Sequence, residues 1–187
     1  MKALKLLFTT ILVVTITLSC KKENNNQQII PIPNGDFELW DNQPTLNTWL
    51  TNSCPPCVPP FDTYVIKKVT DASNGQFAAK FIFNNVYTSY AINKFQISLH
   101  PSVLTGYIKS NIATGDTATI HINLFSGNNI IDIGNFFETT SNVSYRQIEI
   151  PISQNSQSID SASIEITGGK KLSTELHVDN LVFIKNE

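Results

Sequence analysis

The chain has 187 residues, of which 41% are hydrophobic and only 15% charged, and its formal net charge is −2. That length and apolar content suit one folded domain with a sizeable core. A charge so close to neutral gives no argument for nucleic acid or for an acidic ligand as partner.

The first residues read as a targeting segment. Lys2 and Lys5 precede an apolar run from Leu6 to Leu18, and Ser19-Cys20 follows, which is the layout of an export signal. The run holds about 13 residues, short of the roughly 20 that a membrane-spanning helix needs. Its "LSC" ending resembles the lipobox of bacterial lipoproteins, where the cysteine is lipidated and becomes the new N-terminus; Thr17-Leu18 departs from the usual order. Residues 1–19 are therefore expected to be a lipoprotein signal peptide and Cys20 the lipidation site, with conventional cleavage and secretion as the alternative. More than one acyl chain would give lasting membrane attachment, so the expected location is the cell envelope, at the outer membrane or cell surface. The following "KKENNNQQ" has almost no apolar content and reads as a disordered tether within residues 20–33.

The remainder, residues 34–187, is expected to be one all-β domain. Apolar residues alternate in "QFAAKFIF" (Phe77, Ala79, Phe81, Phe83), "TATIHINLF" (Ala118, Ile120, Ile122, Leu124), "YRQIEIPI" (Ile148, Ile150, Ile152) and "SASIEIT" (Ala162, Ile164, Ile166). That period of two marks half-buried strands. Weaker strands are expected over 63–69, 90–99, 104–109 and 130–137. "SNG" at 73–75, "TGD" at 114–116, "SGNN" at 126–129 and "TGGK" at 167–170 supply turns between them. About eight to ten short strands at this spacing predict an antiparallel β-sandwich.

Both ends of this domain carry acids inside apolar patterns. In "NGDFELW" alternation would set Phe37 and Leu39 on one face and Asp36 and Glu38 on the other. In "LHVDNLVF" Leu176 and Val178 share a phase that Leu181 and Phe183 break. A bulge at Asp179-Asn180 would reconcile the two phases and leave a carboxylate at a break in the ladder.

Sugar recognition would need apolar platforms beside hydrogen-bonding groups. Thr119, His121 and Asn123 face outward on one strand, and Tyr145, Gln147 and Glu149 on another; on a shared sheet they would form one polar surface. An ordinary solvated sheet face is the plainer alternative. Tyr87, Tyr90, Phe136 and Phe137 are open aromatic candidates, whereas Trp40 and Trp49 read as packing residues.

Cys54 and Cys57 in "CPPC" read as a local loop disulfide, since Pro59 and Pro60 oppose the helix a redox site requires; a redox or zinc role is the lesser alternative. Glu149 and Glu165 would make a carboxylate pair if they faced each other across neighbouring strands. No nucleophile elbow accompanies His100, His121 or His177, so a binding module is expected and not an enzyme. A structural or adhesive surface module remains the alternative.

In order and spacing, "NGDFELW", "DASNGQFAAKF", "LTGYIKS", "GDTATIHINL" and "LHVDNLVF" resemble the jelly-roll carbohydrate-binding modules with a galactose-binding-like fold. They are most similar to the carbohydrate-metabolism domain of lipoproteins from polysaccharide-degrading Gram-negative bacteria. "SCPPCVPP" is not part of that pattern, and "DN" stands at 179–180 where "DD" is usual. The resemblance implies glycan binding and a structural calcium joining the first strand to the last. Its ligands would be Glu38 and Asp179, with carbonyls of the Asn74-Gly75 turn; Asp36 could replace Glu38. Calcium takes six to eight oxygen ligands.

Overall fold

The computed structural model describes residues 27–41, 45–53 and 64–186. Residues 1–19, expected to be a signal peptide, and Cys20, Cys54 and Cys57 lie outside the described residues.

Eleven strands follow one another, with no helix among the described residues. They are β1 (Gln28–Pro31), β2 (Leu50–Thr51), β3 (Ile66–Val69), β4 (Ala78–Ile82), β5 (Tyr90–Gln96) and β6 (Val103–Asn111). The rest are β7 (Ala118–Ser126), β8 (Asn129–Glu138), β9 (Asn142–Pro151), β10 (Ser161–Thr167) and β11 (Glu175–Lys185). All pairings are antiparallel. One sheet runs β3-β4-β11-β6-β9, and the other β2-β5-β10-β7-β8. β1 continues along β11 where β4 stops: β4 pairs with Glu175–Val178, and β1 with Val182–Lys185.

The alternation in the sequence is what builds this sandwich. In β7 the side chains of Ala118, Ile120, Ile122 and Leu124 are fully buried, while Thr119, His121 and Asn123 between them are half-exposed. Ile148 and Ile150 of β9, Ala162, Ile164 and Ile166 of β10, and Phe81 of β4 meet them from both sheets. Burying each such large aliphatic or aromatic side chain contributes about 1.5–3 kcal/mol.

β11 carries the expected break. Its register to β6 shifts between Asp179 and Val182, and Asn180 takes a left-handed φ of 50°. Both Val178 and Leu181 therefore reach the core.

The reading of "NGDFELW" as an alternating strand is corrected. Residues 33–36 form turns, and Phe37 has a φ of 54°. Phe37 is fully buried while Leu39 is exposed, so they do not share a face. Asn34 causes this: its side chain accepts from Leu39 N (2.9 Å) and donates to the carbonyls of Leu39 (3.0 Å) and Asn47 (2.8 Å). An asparagine that bonds nearby backbone outcompetes a sheet ladder. Phe37 then stacks on Trp49 at 5.3 Å between centroids, and Trp40 Nε1 donates to Phe37 O at 2.6 Å. Both tryptophans pack within this loop, as expected.

Candidate functional site

The six residues expected to form one polar surface do not. β7 belongs to the five-stranded sheet and β9 to the six-stranded one, so Thr119, His121 and Asn123 lie on one outer face of the sandwich and Tyr145, Gln147 and Glu149 on the other. The same separation puts Glu149 and Glu165 on opposite outer faces and removes them as a facing carboxylate pair. The physical reason is that β9 crosses to the sheet opposite the one that holds the preceding strand β8, which local alternation does not encode.

On the outer face of the five-stranded sheet, register brings new neighbours to the β7 residues. Thr119 stands between Phe137 of β8 and Thr167 of β10, with Tyr90 of β5 beyond; His121 stands between Asn135 and Glu165, and Asn123 between Ile133 and Ser163. His121 Nδ1 lies 2.6 Å from Asn135 Oδ1, and the imidazole meets the edge of Phe137 at 5.9 Å. Lys94 extends over the Phe125 ring. The floor is thus hydroxyl, amide, imidazole and carboxylate, bounded by exposed Phe137 and Ile133 on one side and Leu50 on the other. Burial and the charge of Glu165 both push the Tyr90 phenol upward. A groove of about 500 Å³ opens at one end, between Phe137, Thr119, Thr167 and Lys170. The outward phase of Ser163, Glu165 and Thr167 was readable from β10's alternation; their adjacency to β7 was not. Of the aromatic candidates, Phe136 packs partly inside against the core, whereas Phe137 faces out.

On the other outer face Tyr145 is engaged structurally: its hydroxyl donates to Asp71 O at 2.6 Å, and its ring meets the edge of His177. Burial first, then the charges of Asp71 and Asp179, push the Tyr145 phenol well above its ordinary range. Gln147 and Glu149 line a separate groove of about 320 Å³ with Thr105, Ser102 and Asn186.

The two end motifs do meet, through one turn. Asp179 Oδ2 accepts from Ser73 N (2.7 Å) and Asn74 N (2.9 Å), and Glu38 Oε1 from Gln76 N (2.7 Å) and Phe77 N (3.0 Å). Gly75, at φ 71°, lies against the Glu38 carboxylate, where any Cβ would collide. Asp179 is fully buried and its Oδ1 has no hydrogen-bond partner. Desolvation is the largest cause of its raised pKa; the bonds from Asn74, Ser73 and Asn180 oppose it, and the charge of Glu38 adds to it. An orphaned buried carboxylate oxygen beside a second carboxylate is the donor chemistry a hard cation fits. Asp36 is exposed in the preceding turn, and Glu38 is the acid whose bonds reach the 73–77 segment. Among the described residues no group of three or more His, Cys, Asp or Glu is arranged for a metal, so further ligands would be carbonyl, amide or hydroxyl oxygens or water.

One arrangement bears on catalysis. Asp132, buried, lies 2.8 Å from His100 Nε2 and accepts from Ser153 Oγ at 3.0 Å. The carboxylate sits between hydroxyl and imidazole, the reverse of the order in which an imidazole activates a serine.

No protein-family model and no curated protein matches the chain. Among solved structures the fold has clear counterparts. A cyclase from Fischerella sp. TAU overlaps 84% of this chain and 96% of its own, at 14% identity and a TM-score of 0.56. A candidate glycoside hydrolase from Bacteroides thetaiotaomicron overlaps 69% of this chain at 12% identity and a TM-score of 0.53; the overlap spans 59% of that protein. The carbohydrate-binding module TmCBM61, bound to β-1,4-galactotriose, overlaps 83% of this chain and 97% of its own, at 11% identity and a TM-score of 0.48. The overlaps with the cyclase and the candidate hydrolase show that the chain shares their β-sandwich fold.

Proposed function

We propose that the protein is a non-catalytic, envelope-anchored glycan-binding module, and that its binding surface is the outer face of the five-stranded sheet. The observation that carries this reading is the hydrogen-bonding floor of Thr119, His121, Asn123 and Glu165 between the exposed side chains of Phe137 and Leu50. Sugars present hydroxyls to polar groups and C–H faces to aromatic rings, so such a floor and rim suit an oligosaccharide. A calcium ion held by Glu38, Asp179 and carbonyls of the 73–77 turn belongs to the same reading. Its support is the unpartnered oxygen of Asp179, and its role there is structural.

The membrane anchor is Cys20. β1 begins beside Lys185, at the opposite end of β11 from the groove near Phe137, which adjoins the loop leading into Glu175. Eleven residues of strand span roughly 35 Å, so a lipid at Cys20 tethers the domain from the end opposite the groove. Mass spectrometry of the mature N-terminus should find an acylated cysteine, and an unmodified terminus beyond Cys20 would end this part of the reading.

A glycan array with the full-length protein tests the binding claim. At least one oligosaccharide should bind, and His121→Ala with Asn123→Ala should weaken it roughly tenfold, about 1.4 kcal/mol, at a nearly unchanged Tm. Equal binding by the double variant would remove this face, and turnover of the bound glycan would replace binding by catalysis.

A further inference from the structure

The net charge of −2 conceals a local excess of positive charge at the open end of the five-stranded sheet. Asp116 lines the groove there, but its carboxylate is committed to the fold. It accepts from Thr117 N (2.9 Å), Lys170 N (3.0 and 2.9 Å), Lys171 N (2.9 Å) and Thr174 Oγ1 (2.6 Å), and is itself buried. This clamp fixes two successive lysines at the rim. Lys170 lines the groove, and Lys171 Nζ donates to Thr114 O at 2.7 Å beside Gly115. Among the described residues neither lysine forms an ion pair, whereas the nearby Glu138 is buried against Arg146. Glu165 is the other carboxylate of this face, one register row deeper beside His121.

We infer that this end of the face is a subsite for an acidic sugar, one bearing a carboxylate or a sulfate; the inference rests on the glycan-binding reading above. Phe137, 59% exposed, supplies the flat platform for the C–H face of a pyranose. The hydroxyls of Thr119 and Thr167, directly paired across β7 and β10, meet ring hydroxyls. The ammonium group of Lys170 in the groove and that of Lys171 beside Gly115 meet the anionic substituent. Together they outnumber the single charge of Asp116, whose oxygens are already taken by the N–H groups and the Thr174 hydroxyl. The groove volume of about 500 Å³ lies within the range of sites that enclose small ligands.

The test is calorimetric titration of the full-length protein with four probes. These are oligogalacturonate hexamers, the same hexamers after carboxyl reduction, a sulfated galactan and its desulfated form. The acidic probe of at least one pair should bind about tenfold tighter than its neutral counterpart, as two exposed charge pairs allow. Raising NaCl from about 50 to about 200 mM should shrink that preference. Lys170→Gln with Lys171→Gln should abolish it while leaving neutral binding in place, and Phe137→Ala should weaken both forms. Lys170→Gln alone, which leaves the Lys171–Thr114 bond intact, should halve the preference or more. Equal affinity for acidic and neutral forms, or a preference that survives the double variant, overturns the subsite while glycan binding stands. Binding of none of the four overturns the subsite, and the glycan-binding reading falls with it only if the glycan array is blank as well.

Discussion

Asp116 sits in a sequence context, "TGDT", that signals no more than a turn, yet four donors converge on its carboxylate and close the 113–117 turn against the 168–174 loop. Burial works against its charge, but the bonds from Lys170, Thr174, Thr117 and Lys171 outweigh it and hold the carboxyl below its ordinary 3.8. A depressed folded pKa contributes stability that is present above about 3.8 and is lost as pH falls through the lower folded value. Asp116→Asn turns an NH2 toward backbone N–H groups and should cost about 1–3 kcal/mol at pH 7, a Tm fall of roughly 2–4 °C per kcal/mol. Urea titrations of both proteins should show this gap narrowing between pH 4 and pH 2, once the wild-type carboxylate is protonated too. A gap that stays constant over that range would mean that Asp116 acts through packing and not through its charge. Gly169 belongs to the same clamp, since a Cβ there would collide with Asp116 and Thr174.

β11 is the central strand of the six-stranded sheet and pairs with β1, β4 and β6. Its bulge sends Leu181 into the core, 1% exposed, and turns Leu181 N toward Gly35 O at 2.7 Å. A Cβ on Gly35 would run into the carbonyl oxygen of Leu181, and backbone cannot step aside as a side-chain tip can. Gly35→Ala should therefore cost about 1–3 kcal/mol by overpacking, and a Tm within 1 °C of wild type would show that the loop slides freely over β11. Leu181→Ala should cost more, about 2–5 kcal/mol, by leaving a cavity. The bulge was legible in advance because Val178 and Leu181 cannot both be core residues without it, just as Ile120, Ile122 and Leu124 declared β7. Phe37 was misread because its φ of 54° depends on Asn34 bonding Leu39 and Asn47, a contact that no periodicity expresses. Sheet membership was illegible for a related reason. β8 and β9 are joined by a tight connection yet pair with different sheets, and only the packing of the whole chain decides that crossing.

At the scale of the whole molecule, the 73–77 turn links the first loop to the last strand through Glu38 and Asp179, residues separated by most of the domain. That these acids come together was what the family resemblance implied; that backbone N–H groups would receive one oxygen of each was not legible. Without a cation the two charges repel, which helps to raise the Asp179 pKa after desolvation has done most of it. A raised folded pKa means that the folded state holds its proton longer, so metal-free stability should decline as pH rises from about 3.8 through the folded pKa of Asp179. Calcium on the free Oδ1 would cancel that penalty. With a Kd of about 10⁻⁴ M, in the range of extracellular calcium modules, 10 mM calcium should add roughly 2.7 kcal/mol, and magnesium less because it demands tighter octahedral geometry. Asp179→Asn separates metal binding from folding. The amide oxygen can still accept from Ser73 and Asn74 while the charge facing Glu38 disappears, so the variant should be at least as stable as wild type in chelator and indifferent to calcium. Thermal melts of both proteins at pH 7, with calcium and with chelator, decide between a metal-tied and a hydrogen-bonded junction. A wild-type Tm that calcium does not move, or an Asp179→Asn variant that calcium stabilises as much as wild type, would leave the backbone bonds of the 73–77 turn, without a metal, as what joins Glu38 to Asp179.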